Sequence, residues 1–103
     1  MDIKILVSKK AQREIENAMD YYSEINPNLS LRFYSELVEA YKKLEINPNY
    51  QIRYKQYRAI PLKVFPFILF YSYEENNETI KILSCFHTSQ NSNKYPKLEY
   101  PSR

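Results

Sequence analysis

The start of the chain changes from a hydrophobic period of two to one of three and four. In residues 2–7, DIKILV, isoleucine or valine occupies every second position, which predicts a strand with one buried face. From Ser8 to Asn26 apolar residues recur every three or four positions, which predicts an amphipathic helix capped by Ser8. Pro27 suits the first turn of a helix, so we expect a second helix to begin there.

The second helical pattern continues to Asn47 and Pro48, where its apolar stripe stops. Pro27 and its neighbour Asn26 leave almost no linker between the two helices. Helices joined by so short a link must lie side by side in opposite directions. The pattern therefore predicts an antiparallel helical hairpin.

After Pro48 the helical period disappears, and three strands are predicted. Residues 51–62, QIRYKQYRAIPL, are interpreted as one strand in which basic and aromatic residues alternate. Residues 64–74 are nearly all apolar, as in a strand buried on both faces, with Pro66 expected at the strand's entry or at a bulge.

A polar link, residues 74–78, closes a hairpin into the last strand. Asn76 and Asn77 tolerate positive φ and are expected to make the turn. Strict alternation in residues 79–87 places two sets of side chains on opposite faces: Ile80, Ile82, Ser84 and Phe86 on one, and Lys81, Leu83, Cys85 and His87 on the other.

These elements predict an α+β fold. An N-terminal strand is followed by the antiparallel two-helix hairpin, which packs on one face of a mainly antiparallel four-stranded sheet. A length of 103 residues favours a single domain over residues 1–103. The apolar runs are shorter than the roughly 18 residues of a membrane helix, and no leader pattern is present, so we expect a cytoplasmic protein without membrane contact.

Composition excludes several kinds of site. The chain contains no glycine, and a glycine-rich phosphate-binding loop is therefore absent. Cys85 and His87 are the only residues of their types, which excludes an intramolecular disulfide and a multi-ligand Cys/His zinc site. We expect neither a metal nor a cofactor.

Charge is uneven along the chain. The formal net charge is +3, and residues 51–103 hold 8 Lys or Arg against 4 Asp or Glu. Basic residues interleaved with tyrosines can bind RNA, because phosphates pair with cations and bases stack on rings; a strand with a basic polar face gives the same pattern. The residues concerned are Arg53, Lys55, Arg58 and Lys63, which surround Tyr54 and Tyr57.

Three other features of the sequence bear on chemistry. His87 could transfer protons, although a lone histidine at a strand end is commonly an ordinary polar residue. Cys85 is expected in the core. The carboxylates of the helices form no pair across a cleft and are interpreted as solvated helix faces: Glu14, Glu16, Asp20, Glu36 and Glu39.

Four segments together resemble the RelE/ParE superfamily of bacterial type II toxins, also called plasmid stabilisation proteins. They are AQREIENAMDYY, LRFYSELVEAYKKLEINP, YRAIPLKVFPFILFY and IKILSCFH followed by a polar tail. The resemblance extends over about residues 3–96 and is most specific around Arg58, Phe65, Pro66 and Tyr71. It implies a compact, growth-inhibiting toxin that a cognate antitoxin wraps and silences in a heteromeric complex, which regulates the shared operon.

Two activities occur in that superfamily. RelE-like members cut messenger RNA in the ribosome without a metal, whereas ParE-like members block DNA gyrase by binding. For a nuclease, the resemblance suggests Arg58, His87 and Tyr95 as catalytic residues; contacts to RNA or another target are expected from Arg53, Lys55, Lys63, Gln90 and Lys94.

The long helical hairpin is more similar to the ParE side. Many members carry arginines directly after the position of His87, where this chain has Thr88, Ser89, Gln90 and Asn91. Amides and hydroxyls bring no positive charge to a phosphate. The expected function is therefore gyrase inhibition, with a ribosome-dependent endoribonuclease and a degenerate toxin that only binds antitoxin as alternatives. Whether the chain is an enzyme stays open.

Overall fold

The computed structural model describes residues 3–89, which form two helices and five strands. The helices are α1 (Lys9–Ile25) and α2 (Pro27–Ile46); the strands are β1 (Lys4–Val7), β2 (Ile52–Tyr54), β3 (Tyr57–Pro61), β4 (Phe67–Glu74) and β5 (Thr79–His87). The α+β class and the order of strand, helical hairpin and sheet are confirmed. The sheet has five strands where the sequence predicts four.

Local capping explains the helix boundaries. Ser8 Oγ accepts a hydrogen bond from Ala11 N at 3.0 Å and begins α1. Asn26 ends α1 through its N–H, which donates to Tyr22 O, and begins α2 through its side chain, which accepts from Asn28 N at 2.9 Å. Because one residue separates α1 from α2, the chain reverses there, as the sequence predicts.

The strand order in the sheet is β1-β5-β4-β3-β2. From β2 to β5 the neighbours are antiparallel and follow chain order, whereas β1 lies parallel to β5, with Lys4 opposite Thr79 and Val7 opposite Ile82. The helical hairpin packs over one face of this sheet, through contacts of α1 with α2 and with β5.

Residues 51–62 do not form the single strand that the alternation predicts. They form the hairpin of β2 and β3, which turns at Lys55 and Gln56. Lys55 adopts φ 54°, a left-handed conformation that lysine rarely takes, so the sequence carries no ordinary turn signal there. This extra turn accounts for the fifth strand.

The turn between β4 and β5 also differs from the prediction. A 3₁₀ turn at Glu75–Asn77 makes the link, and the left-handed residue is Glu78, with φ 50° and ψ 47°, rather than Asn76 or Asn77. Pro66 precedes β4, as predicted, and its carbonyl accepts from Thr88 N at 2.8 Å.

A bulge in β5 breaks the predicted alternation. Tyr71 pairs with Ile82 and Phe70 pairs with Ser84, so Leu83 is the extra residue. Beyond it the faces are exchanged: Cys85 joins the core on the helix side, and Phe86 joins Leu83 in a cluster on the other side. The predicted placement of Cys85 and His87 with Leu83 is therefore wrong, because alternation holds only within an unbroken ladder.

The sheet is buried on both faces along β4. Phe67, Leu69 and Tyr71 belong to the helix-side core, and Ile68 and Phe70 to the second cluster. The prediction of a strand buried on both faces is confirmed, and the end of β4 beside α1 becomes one wall of the groove described next.

Candidate functional site

A groove of about 460 Å³ lies between α1 and the adjoining ends of β4 and β5. The bulge in β5 matters here because it turns His87 toward α1. The lining combines apolar, hydroxyl, amide, imidazole and charged groups: Lys10, Glu14, Asn17, Ala18, Tyr21, Tyr22, Phe67, Cys85, Phe86 and His87.

His87 is half-buried at the end of β5 and packs edge-to-face on Phe67, with ring centroids 4.9 Å apart. Its Nδ1 accepts from Ser89 N at 3.1 Å and lies 2.6 Å from Ser89 Oγ. A backbone N–H can only donate, so Nδ1 carries no proton and the neutral ring is protonated at Nε2. In this geometry His87 offers a hydrogen-bond donor at Nε2, and its lone pair at Nδ1 is directed at Ser89.

Glu14 on α1 is not the solvated carboxylate that the sequence predicts. Its Oε1 accepts from Ser84 Oγ and from Cys85 N, both at 2.9 Å, and its Oε2 pairs with Lys10 Nζ at 3.0 Å. The side chain of Glu14 is 28% exposed, so these bonds form where water screens them only partly.

Two ionisable side chains of the groove wall, Cys85 and Tyr22, stay neutral because their pKa values are raised. Burial, with a smaller contribution from Glu14, raises the pKa of the Cys85 thiol to about 12. Burial also raises the pKa of Tyr22, and the neighbouring Tyr21 and Cys85 add to this shift. Cys85 is thus a buried thiol of the core, where the sequence predicts it.

Arg58 lies away from this groove. It is half-buried on β3, where Nη1 donates to Tyr50 O at 2.6 Å. Arg58 pairs with Tyr71 and His87 with Phe67, so about 13 Å of β4 separates the two along the sheet. The structure does not bring the two predicted catalytic residues together.

The bond of Arg58 belongs to a small network that fixes the connection from α2 to β2. The buried Tyr71 hydroxyl donates to Pro48 O at 2.8 Å and accepts from Tyr50 N at 3.2 Å. Both polar groups of the Tyr50 backbone are therefore held by the sheet. The geometry gives Arg58 a structural contact.

The other basic residues occupy two ends of the sheet. Arg53 is exposed on the edge strand β2, and Lys55 Nζ lies 5.4 Å from the centre of the Tyr54 ring at the adjoining turn. Lys63 follows β3 at the opposite end and is 4.0 Å from Glu39 Oε1. Arg53 and Lys55 therefore do not form one patch with Lys63.

Three predicted site residues lie outside the described residues: Gln90, Lys94 and Tyr95. In residues 3–89, no three His, Cys, Asp or Glu side chains are grouped so that they could hold a metal ion. Neither α1 nor α2, the helices of that range, is long and apolar enough to cross a membrane.

Sequence reasoning missed the α1 side of the groove, above all Glu14 and Lys10. Their spacing of four residues is an ion-pair signal, and Glu14 adjoins the buried position Ile15. Nothing in the sequence indicates that Glu14 contacts β5, because Ser84 is 70 residues away.

Comparison with known proteins agrees with this fold. A family model described as "ParE toxin of type II toxin-antitoxin system, parDE" matches residues 5–92. A solved structure, "Chromosomal ParDE TA system from P. aeruginosa", is similar with a TM-score of 0.69 and 21% sequence identity, over 82% of this chain and 95% of that one. No curated protein sequence matches significantly. At such low identity the structural likeness shows the fold alone.

Proposed function

The chain belongs to the ParE toxin family of type II toxin–antitoxin systems, and from this membership we propose that it inhibits DNA gyrase by binding. It is the toxin component of such a system, with an antitoxin as its partner. We further propose that it acts in the cytoplasm, and that the antitoxin silences it in a heteromeric complex.

The observation that supports the proposal is that His87 and Arg58, two residues that RNA cleavage would need together, lie far apart in the structure. A nuclease of this kind needs a base for the ribose 2′-hydroxyl and a cation beside the phosphate. Nδ1 of His87 is bonded to Ser89, and Arg58 is bonded to Tyr50 O about 13 Å away along β4. A binding inhibitor needs no such convergence.

Exposed cations are the proposed target contacts. Arg53 and Lys55 at one end of the sheet and Lys63 at the other can meet an extended anionic surface, such as gyrase-bound DNA or an acidic protein region. Gln90 and Lys94 remain proposed contacts on sequence grounds, and both lie outside the described residues.

The test combines purified components with cells. Added to DNA gyrase and relaxed plasmid, the protein is expected to block supercoiling; when it is induced without antitoxin, growth should stop while translated messages stay intact. Reversing Arg53 and Lys55 to Glu should weaken gyrase inhibition at least tenfold, and Lys42→Glu, at an exposed site on α2, should not. Normal supercoiling at excess protein would refute the proposal.

A ribosome-dependent endoribonuclease is the second candidate, and one observation favours it. His87 lines a groove that also holds Lys10, and a donor beside a cation could stabilise a phosphate. Rapid message cleavage that His87→Ala abolishes would establish this activity, with Arg58 and Tyr95 as the further catalytic candidates. Soluble expression without any effect on growth would leave a degenerate toxin that binds antitoxin only.

A further inference from the structure

Glu14 occupies the position where β5 loses its strand neighbour. β1 ends with Val7 opposite Ile82, so in the described part of the chain no strand flanks β5 on that side at Cys85. The N–H of Cys85 donates to Glu14 Oε1 instead. A helix carboxylate thus takes the place of a strand carbonyl.

The same oxygen satisfies a second buried donor. Ser84 is 0% exposed, and its hydroxyl also donates to Glu14 Oε1 at 2.9 Å. Ser84 and Cys85 are consecutive, and both turn toward the helices directly after the extra residue Leu83. One acceptor therefore holds both residues in the conformation that makes the bulge.

Without the bulge, regular alternation from Ile82 would reverse the rest of β5. Phe86 would then face the helices, and Cys85 and His87 would face the opposite cluster. Ser84 faces the helices in both forms, whereas the Cys85 N–H meets Glu14 only in the bulged form. An apolar residue at position 14 would leave that N–H without its acceptor in the bulged form, which favours the regular ladder.

We propose that Glu14 is a positioning residue whose Oε1 holds the bulge at Leu83, so that the side chain of His87, and not that of Phe86, lies on the helix side of the sheet beside the groove. The inference rests on the proposed function only in treating that groove as a surface the toxin uses. The claim that Glu14 holds the bulge does not depend on the target of the toxin.

Two variants of similar size test the acceptor. Glu14→Gln keeps a carbonyl oxygen that can accept from Ser84 and Cys85 but loses the ion pair with Lys10. Glu14→Met removes the acceptor, and Glu16→Gln, at an exposed site on the same helix, is the matched control.

The chain contains one histidine and one cysteine, so an imidazole NMR signal and a thiol-labelling signal can each be assigned to a single residue. Nuclear Overhauser effects between the His87 and Phe67 rings report which face His87 occupies, because the rings are 4.9 Å apart in the bulged form. Thiol labelling of Cys85 reports how often the bulge opens.

Glu14→Met should lose the His87–Phe67 effects and label roughly tenfold to a hundredfold faster, as for a lost bond to a charged group. Glu14→Gln and Glu16→Gln should keep both signals. Native signals in Glu14→Met, or their loss in Glu14→Gln, would overturn the proposal. If Glu14→Met fails to fold, Glu14→Asp, whose shorter side chain draws the acceptor away from Cys85 N, must still raise the labelling rate of Cys85; an unchanged rate there also overturns the proposal.

Gyrase inhibition measured on the same variants separates this inference from the proposed function. Loss of inhibition together with loss of the His87–Phe67 effects supports both. Full inhibition by a Glu14→Met protein whose His87 has left Phe67 leaves the positioning role intact and removes His87 from the target surface. Absence of inhibition in every protein, including the unmodified chain, refutes gyrase as target and not the role of Glu14.

Discussion

At the scale of single residues, Glu36 on α2 binds backbone N–H groups of the loop between β3 and β4, as Glu14 binds the N–H of Cys85 at the bulge. Its carboxylate accepts from Val64 N, with both oxygens at 3.1 Å, and from Phe65 N at 3.4 Å. Each helix thus contributes a carboxylate that accepts backbone N–H from a later segment, Glu14 from β5 and Glu36 from the loop between β3 and β4. Bonds to charged acceptors stabilise more than neutral ones, about 1.5–3 kcal/mol each.

Cys85 makes stability depend on alkaline pH. Its pKa is raised from 9.0 to about 12 in the folded chain, so above pH 9 the unfolded chain ionises first and stability falls. The contribution is complete below pH 9 and is lost as pH rises toward 12. We expect the free energy of unfolding, measured in urea at pH 7.5–10.5, to fall less steeply in Cys85→Ala.

Burial also raises the pKa of Tyr41 to about 12, so above pH 10 Tyr41 makes the free energy of unfolding fall with pH in both proteins. The comparison between pH 9 and 10 therefore isolates the thiol. Parallel curves for Cys85→Ala and the unmodified chain in that interval would contradict the assignment.

At the scale of elements, a chain without glycine makes its tight turns with residues that tolerate them poorly. Lys55 joins β2 to β3 and Glu78 joins the 3₁₀ turn to β5, both with positive φ. A left-handed conformation costs an ordinary residue about 1–2 kcal/mol. The turns form because the strands on either side of them are held by the rest of the sheet.

Glu78→Gly is expected to stabilise the protein by about 0.5–1 kcal/mol, because relief of the left-handed conformation exceeds the added freedom of the unfolded chain. Urea unfolding measures the change. Glu75→Gly, within the 3₁₀ turn and without positive φ, is the control and should destabilise. Equal effects of the two substitutions would show that Glu78 is not strained.

At the scale of the whole molecule, an aromatic cluster joins the helical hairpin to the sheet. Phe33 on α2 packs against Phe65 and Phe67, with ring centroids 5.5 and 5.3 Å away, and Tyr22 on α1 lies 4.9 Å from Phe65. Phe33 is fully buried. Both helices thus meet the start of β4 through rings, in a domain whose net stability is typically about 5–15 kcal/mol.

Phe33→Ala should lower the free energy of unfolding by about 3–5 kcal/mol, the usual result of replacing a buried phenylalanine. Tyr34→Ala, at a neighbouring side chain that is 52% exposed, should cost less than about 1 kcal/mol. Urea unfolding followed by circular dichroism compares them. Similar midpoints would mean that the hairpin does not depend on this cluster.

The sequence by itself determined the elements that rest on neighbouring residues. Ser8, Asn26 and Pro27 set the helix boundaries because a cap or a proline acts within one turn. The resemblance to ParE toxins came from the same local strings, and the family match over residues 5–92 confirmed it.

Tertiary structure alone decided the fifth strand, the position of β1 beside β5, and the side of the sheet on which His87 lies. The β2–β3 turn depends on a strained Lys55, and the bulge in β5 depends on Glu14, 71 residues before Cys85. Contacts between residues so far apart follow from packing rather than from periodicity. Alternation predicted the strands, and only the folded chain determined where that alternation breaks.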